Sequence, residues 1–218
     1  MQPFAGTKFV IFDFDGTLID GYRAITESLN TVLRWQGQPT VTVDRVRYLV
    51  GTGLENLLAV FVARERLPEA VKVFRERFKE VCLTGSSLLE GVEEVLEKLK
   101  DSGIRLGVAS NKPGDRVRDI CDHLGISEYF EVMLGAMDVE ELKPHPQMLE
   151  EAMRRMGAMA SETLYVGDMH VDVQTARGAN VRVACVLTGS GTHEQLTEAA
   201  PDAILGSLGE LVKLLGLR

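Results

Sequence analysis

Short, almost continuously apolar runs alternate with amphipathic stretches along most of this chain. Strands that are apolar at nearly every position are typical of a parallel sheet covered on both faces. The stretches between the runs place apolar residues at the i, i+3, i+4, i+7 spacing of a half-buried helix. We therefore predict an α/β fold with a doubly wound parallel sheet, whose strands are Lys8–Phe12, Arg105–Ala109, Val132–Leu134, Thr163–Val166, Arg182–Leu187 and Ala203–Leu205.

One segment interrupts this alternation. Residues 21–85 contain apolar stripes at helical spacing but no convincing strand. We therefore expect residues 1–20 and 86–218 to form a Rossmann-like α/β core domain. Residues 21–85 are expected to form a separate helical domain, inserted after the first strand.

The charge balance limits the partners of the chain. Its 24 basic and 32 acidic residues give a net charge of −8, which would repel the phosphates of a nucleic acid. The charge does not exclude a small phosphorylated substrate, because a metal held by carboxylates reverses the local field. No run approaches the ~18 apolar residues of a membrane helix. The three scattered cysteines lack metal-type spacing and form no even disulfide framework, so we expect a protein of the reducing cytoplasm with no membrane partner.

The first predicted strand runs directly into Asp13-Phe14-Asp15-Gly16-Thr17-Leu18. Carboxylates at i and i+2 share one face of an extended backbone, so Asp13 and Asp15 should project into the same space. Two like charges at close range need a cation or a proton between them. Mg²⁺ suits such a pair, because it prefers oxygen ligands and usually takes only one or two protein carboxylates. An ordinary Asp- and Gly-rich turn after a strand is the alternative explanation.

Polar residues also follow three other predicted strands. Ser110-Asn111-Lys112 follows the second strand, and Lys143 comes after the third and a loop. Gly167-Asp168 follows the fourth, with Asp172 four residues later. In an open α/β sheet, ligands bind outside the carboxyl ends of the strands. A hydroxyl, a lysine and two pairs of carboxylates at this edge together indicate a site for a phosphate group and a metal ion.

These motifs resemble the four signatures of the haloacid dehalogenase-like superfamily in its phosphatase form. The run Asp13–Leu18 is similar to the first signature. Ser110, Lys143 and the pair Gly167-Asp168 with Asp172 are similar to the second, third and fourth, in the same order. Among the branches of the superfamily, the chain is most similar to the phosphoglycolate phosphatase-like enzymes.

The resemblance covers essentially the whole chain, because residues 21–85 resemble the cap domain of that family. Two positions depart from the family pattern. The chain has Asp20-Gly21-Tyr22 where many relatives have Asp-Ser or Asp-Thr, and Met169-His170 where a Ser or Thr is common. The acid at Asp15 favours phosphoryl transfer over the cleavage of a carbon–halogen bond.

The resemblance implies a role for each motif residue. Asp13 would be the nucleophile that forms an aspartyl-phosphate, and Asp15 would be the general acid and base. Mg²⁺ would be held by the Asp13 carboxylate, the backbone carbonyl of Asp15 and Asp168. Asp172 would complete the metal site by orienting metal-bound water or Lys143. Lys143 would supply positive charge to the transferring group.

The resemblance also implies that the substrate is a small phosphomonoester, a phosphoglycolate-like metabolite. We expect the substrate to be bound by Ser110, Asn111, Lys143 and Thr17, with the Ser110 hydroxyl on a phosphoryl oxygen. Arg47 in the cap would contact the non-reacting end of the substrate.

Two alternatives remain open on the sequence alone. A phosphosugar mutase of the same superfamily would use the same aspartyl-phosphate but return the phosphoryl group to its sugar. A non-catalytic domain would use the cleft only to bind a phosphorylated ligand. A non-catalytic site would not require all five motif residues, so their joint presence favours an enzyme. The five are Asp13, Asp15, Ser110, Lys143 and Asp168.

Overall fold

The computed structural model describes residues 4–217. Within them the chain forms eight strands, numbered in chain order: β1 (Phe9–Phe12), β2 (Ile19–Asp20), β3 (Ser87–Leu88), β4 (Arg105–Pro113), β5 (Phe130–Ala136), β6 (Thr163–Gly167), β7 (Arg182–Val186) and β8 (Ala203–Leu205). Six of them form one parallel sheet in the order β5-β4-β1-β6-β7-β8. The chain winds outward from β1 in both directions, so the predicted doubly wound sheet is confirmed.

Ten α-helices connect and cover the strands within the same residues. Four lie between β2 and β3: α1 (Tyr22–Trp35), α2 (Val43–Arg47), α3 (Leu54–Ala59) and α4 (Leu67–Val81). The other six are α5 (Val92–Asp101), α6 (Gly114–His123), α7 (Gln147–Met156), α8 (His170–Gly178), α9 (His193–Ala199) and α10 (Glu210–Leu214). Among the described helices, none has the length and apolar character that crossing a membrane requires.

The sheet is covered on both faces, as its apolar strands predict. Every side chain of β1 is buried, and the strand alternates between two apolar clusters. Val10 and Phe12 pack with α5, α6 and α10 on one face, while Phe9 and Ile11 pack with α7, α8 and α9 on the other. Full burial of each such side chain contributes about 1.5–3 kcal/mol. These two layers hold the carboxyl ends of β1, β4 and β6 at one edge of the sheet.

Helices α1 to α4 form the segment that we call the helical insert (residues 21–85). Helices α1 and α4 pack against each other, and their buried apolar stripes belong to one cluster. Strands β2 and β3 flank the insert and pair antiparallel, with Ile19 opposite Leu88. The sequence did not indicate these two strands, because two residues are too few to show a periodicity.

Strand β4 is longer than predicted. Its pairing with β5 continues past Ala109 to Pro113, with an irregular register between these residues. Ser110, Asn111 and Lys112 therefore lie within the strand, not in a loop after it. Residues on a strand are positioned more accurately than residues on a loop.

Gly135 of β5 has no room for a side chain. A Cβ atom there would lie 2.2 Å from Lys112 O and 2.5 Å from Gly114 N, both of them backbone atoms. We expect Gly135→Ala to cost about 1–3 kcal/mol of unfolding free energy, which lowers Tm by about 2–12 °C in a chain of this size. The control is Gly209→Ala, whose Cβ would meet only Ser207 Oγ at 3.6 Å. Equal Tm values for the two variants in a thermal melt would contradict this packing.

Candidate active site

The carboxyl ends of β1, β4 and β6 bring the predicted site residues together. Asp13 follows β1, Ser110 lies in β4, and Asp168 follows β6; all three are buried. Together with Asp15 and Asn111, they line a cavity of about 390 Å³ between this edge of the sheet and the helical insert.

The first motif is held in a fixed conformation. Asp13 N donates to Val166 O at 2.8 Å, which ties the motif to β6. Gly16 has a φ of +83°, and a Cβ atom there would lie 2.7 Å from Asp168 Oδ2. Gly16 therefore allows the chain to turn and the carboxylate of Asp168 to approach the backbone. Both Asp13 and Asp15 line the cavity, as their i, i+2 spacing predicts.

Lys143 lies beneath the cavity and is almost fully buried. Its Nζ lies 2.9 Å from Asp13 Oδ1 and 2.7 Å from Asp172 Oδ1, and it donates to the Tyr165 hydroxyl at 3.0 Å. The ammonium group thus forms ion pairs with two carboxylates and a hydrogen bond with a hydroxyl group. Burial alone would lower the pKa of Lys143, but the charges of Asp13 and Asp172 raise it well above its usual value. Lys143 therefore carries a fixed positive charge.

Asp172 uses both of its carboxylate oxygens inside the protein. Oδ1 accepts from Lys143, and Oδ2 accepts from the backbone N–H groups of Asp168 at 3.1 Å and Met169 at 2.9 Å. This arrangement orients Lys143 and fixes the turn that carries Asp168. These contacts fit the orienting role expected of Asp172, while direct contact of Asp172 with a metal stays a prediction.

Three buried carboxylates share this site with one ammonium group. Oxygen atoms of Asp13, Asp168 and Asp172 lie within 4.8 Å of one another. Burial raises the pKa of Asp13 to about 6, with Lys143 opposing the shift and Asp172 adding to it. Burial, followed by the charges of Asp172 and Asp13, raises the pKa of Asp168 well above its usual value. A divalent cation would relieve this excess of negative charge, and Mg²⁺ prefers carboxylate oxygens, so the donor set fits that metal.

No role is predicted for Lys112 from the sequence, and the structure places it beside Asp15. Lys112 Nζ lies 2.7 Å from Asp15 Oδ2, and the two side chains are only 5% and 10% exposed. The same ammonium group stands 4.7 Å from the centre of the Phe78 ring of α4. Lys112 thus connects the predicted acid–base residue to the helical insert. The signal in the sequence is its place two residues after Ser110, on the same face of an extended chain.

Asn111 joins the helical insert to the segment that carries Lys143. Its Nδ2 donates to Gly51 O at 3.0 Å and to Lys143 O at 3.1 Å, and its Oδ1 accepts from Lys143 N at 2.9 Å. Gly51 also packs closely on Met169, since a Cβ atom at Gly51 would lie 2.0 Å from Met169 Sδ. Gly51 and Gly53 both line the cavity, so the turn between them closes over the strand ends.

Three predicted substrate-binding residues lie outside the described lining of the cavity: Lys143, which lies beneath it, Arg47 and Thr17. Arg47 donates to Thr188 O at 3.3 Å and pairs with Asp20 Oδ2 at 3.4 Å, so its guanidinium links α2 to the loop after β7 and to β2. Thr17 is fully buried and donates to Asp168 Oδ1 at 3.4 Å, which supports that carboxylate from within the protein. Contact of Lys143, Arg47 or Thr17 with substrate stays a prediction.

Comparison with known proteins points to one family. The family model of the haloacid dehalogenase-like hydrolases matches residues 10–186. A phosphoglycolate phosphatase of Nitrosococcus oceani is 32% identical over 216 residues, covering 95% of this chain and 96% of the relative. The phosphoglycolate phosphatase of Photorhabdus laumondii is 31% identical over 219 residues, covering 97% and 94%. A solved haloacid dehalogenase-like hydrolase from Bacteroides fragilis has a TM-score of 0.89 at 28% identity, over 94% of this chain and 99% of that chain.

The matched segment extends from β1 to the end of β7. It therefore contains the helical insert and every motif residue at the carboxyl edge of the sheet. The fold, the residues at the strand ends and the relatives that match nearly the whole chain all indicate the same family. The chain belongs to the haloacid dehalogenase-like hydrolases, in their phosphoglycolate phosphatase-like branch, and it is a phosphatase.

Proposed function

We propose that this phosphatase hydrolyses small phosphomonoesters with the help of Mg²⁺, through an aspartyl-phosphate formed on Asp13. One observation supports the proposal most. Asp13 lines the cavity with its carboxylate paired to the buried Lys143, and a second acid, Asp15, lines the same cavity. Transfer of a phosphoryl group in two steps requires such a nucleophile beside an acid–base group.

In the first step, a carboxylate oxygen of Asp13 attacks the phosphorus atom of the ester. The bond between phosphorus and the leaving oxygen breaks, and Asp15 gives its proton to that oxygen, so the alcohol leaves neutral. Lys112 holds the Asp15 carboxyl group in place through its contact at 2.7 Å. Lys143 and the hydroxyl of Ser110 stabilise negative charge on the Asp13 carboxylate and the phosphoryl oxygens.

In the second step, water attacks the phosphorus atom of the aspartyl-phosphate and gives a proton to Asp15. The bond between phosphorus and the Asp13 oxygen breaks, inorganic phosphate leaves, and both carboxyl groups return to their starting states. Mg²⁺, held by the carboxylates of Asp13 and Asp168 and the backbone carbonyl of Asp15, would supply neutralisation of the phosphoryl charge.

We further propose that the helical insert acts as a cap over this chemistry. Asn111 binds Gly51 of the insert, and Lys112 stands against Phe78 of α4, so two residues of β4 hold the insert over the cavity. A closed cap excludes water during phosphoryl transfer and admits small metabolites in preference to phosphoproteins or nucleic acids. The three cysteines are free and buried, which suits the reducing cytoplasm.

The nucleophile is tested by Asp13→Asn, which removes the attacking charge and keeps the size of the side chain. We expect release of inorganic phosphate to fall by roughly 10³–10⁶-fold, as for the loss of other enzymatic nucleophiles. Asp101→Asn is the control, because it changes an exposed carboxylate at the end of α5. Activity of Asp13→Asn above a tenth of the wild-type rate would refute the assignment. A phosphosugar mutase would differ from a phosphatase in this assay. It would convert its substrate to an isomer without releasing free phosphate.

The metal requirement is tested by chelation. We expect excess EDTA to abolish phosphate release and Mg²⁺ to restore it, whereas Ca²⁺ should support little turnover because its coordination is longer and looser. Mg²⁺ should also raise Tm by relieving repulsion among the buried carboxylates, and Asp168→Asn should weaken that rise. Full turnover in excess EDTA is the result that would exclude the metal from the mechanism.

Closure of the cap is tested at Gly51. A Cβ atom there would collide with Met169 Sδ and disturb the turn that accepts from Asn111. We expect Gly51→Ala to lower kcat/KM by about 10- to 100-fold through misplacement of the cap. Gly37→Ala is the matched control, since Gly37 also lies in the insert with a positive φ (+71°) but has nothing within 4 Å of its Cβ position. Equal kcat/KM for the two variants would show that the contact at Gly51 does not matter.

A further inference from the structure

The cavity has a polar floor and an apolar roof. The floor belongs to the carboxyl edge of the sheet and carries the carboxylates, Ser110 and Asn111. The roof belongs to the helical insert, whose uncharged side chains in the lining are all apolar: Ile25, Val50, Leu54, Leu57, Phe74 and Phe78. The proposed nucleophile, Asp13, places the phosphoryl group on the floor. The rest of the substrate must then face the roof.

Each cationic side chain of the described lining is either paired with an aspartate or exposed to solvent. Lys112 is buried but paired with Asp15. Arg116 pairs with two aspartates of its own helix, at 2.9 and 2.7 Å. Arg75 and Lys79 lie on α4 but are exposed, so their charged ends reach water at the mouth of the cavity. A substrate carboxylate in contact with the roof would therefore lose its hydration without gaining an unpaired buried cation. Burial of such a charge is unfavourable.

The size of the cavity also exceeds what a two-carbon group requires. At about 390 Å³ it lies within the range of roughly 300–1,000 Å³ of pockets that enclose drug-sized ligands. Phe74 and Phe78 stack with ring centres 5.7 Å apart and an angle of 14° between the rings, and both line the cavity, so the roof has an aromatic wall. A glycolate group would leave most of this wall without a contact.

We propose that the preferred substrate of this enzyme is a phosphomonoester whose leaving group is apolar and several carbon atoms long. This inference rests on the proposed function, since it takes the phosphoryl position from Asp13. The roof binds the hydrocarbon part of the leaving group, and the floor carries out the chemistry. Each methylene group that leaves water for the roof should raise kcat/KM by about fourfold until the cavity is full.

The test uses n-alkyl phosphates from propyl to hexyl, whose leaving alcohols have nearly equal pKa values, so that only the apolar area changes. Phosphate release is measured for each ester and for 2-phosphoglycolate at fixed Mg²⁺. We expect kcat/KM to rise by about two- to fourfold per methylene and to be higher for hexyl phosphate than for 2-phosphoglycolate. Inhibition by the matching alkylphosphonates should strengthen in the same order, which measures binding without turnover.

A pair of insert variants locates the effect. Leu54 and Leu49 are both half-buried leucines packed on the same apolar cluster, but only Leu54 lines the cavity. Leu54→Ala should flatten the dependence of kcat/KM on chain length, because it removes part of the roof. Leu49→Ala should keep the wild-type dependence.

The outcomes separate this inference from the proposed function. A flat chain-length series in the wild type, or 2-phosphoglycolate at least tenfold better than hexyl phosphate, overturns the inference. If the wild type releases phosphate from these esters in either of these cases and Asp13→Asn does not, the proposed mechanism stands. If no ester in the series, 2-phosphoglycolate included, releases phosphate with Mg²⁺ present, the proposed function fails and the inference fails with it.

Discussion

The ammonium group of Lys143 holds the centre of this structure together. It is buried between Asp13 and Asp172, forms ion pairs with both carboxylates and donates to the Tyr165 hydroxyl. Without Lys143, two buried carboxylates would remain unpaired, which typically costs about 3–5 kcal/mol. Asp172 in turn binds the backbone of the turn after β6. The same ion pairs therefore position the proposed nucleophile Asp13 and the turn after β6, which carries the proposed metal ligand Asp168.

In the proposed mechanism, chemistry and selectivity are divided between two parts of the chain. Strands β1, β4 and β6 present charged and hydroxyl groups at one edge, where close-packed layers on both faces hold them rigid. The helical insert contributes mainly apolar side chains to the same cavity and is held there by Asn111 and Lys112. We therefore expect substitutions among the apolar insert residues of the lining to change substrate preference more than the chemistry at the strand ends.

The grouping of the motif residues could be predicted from the sequence because each lies at or beyond the carboxyl end of a buried apolar run, and parallel strands end at one edge. Three features could not be predicted in this way. Tyr165 belongs to an apolar run and has the pattern of core packing, yet its hydroxyl accepts from Lys143. Arg47 pairs with Asp20 and donates to Thr188 O because of the way the insert packs on the sheet domain. No local sequence pattern indicates that packing. The pairing of Lys112 with Asp15 depends on the extension of β4 beyond Ala109.

In the proposed mechanism, the phosphoryl group passes through a covalent bond to Asp13. Wild-type enzyme mixed with a ³²P-labelled phosphomonoester and Mg²⁺ can be quenched in acid within one turnover, digested and mapped by mass spectrometry. We expect label on the peptide that contains Asp13, and conversion of that side chain to homoserine when borohydride is added to the quenched enzyme. Label on a different residue, or turnover with no label on the protein at any time, would contradict it.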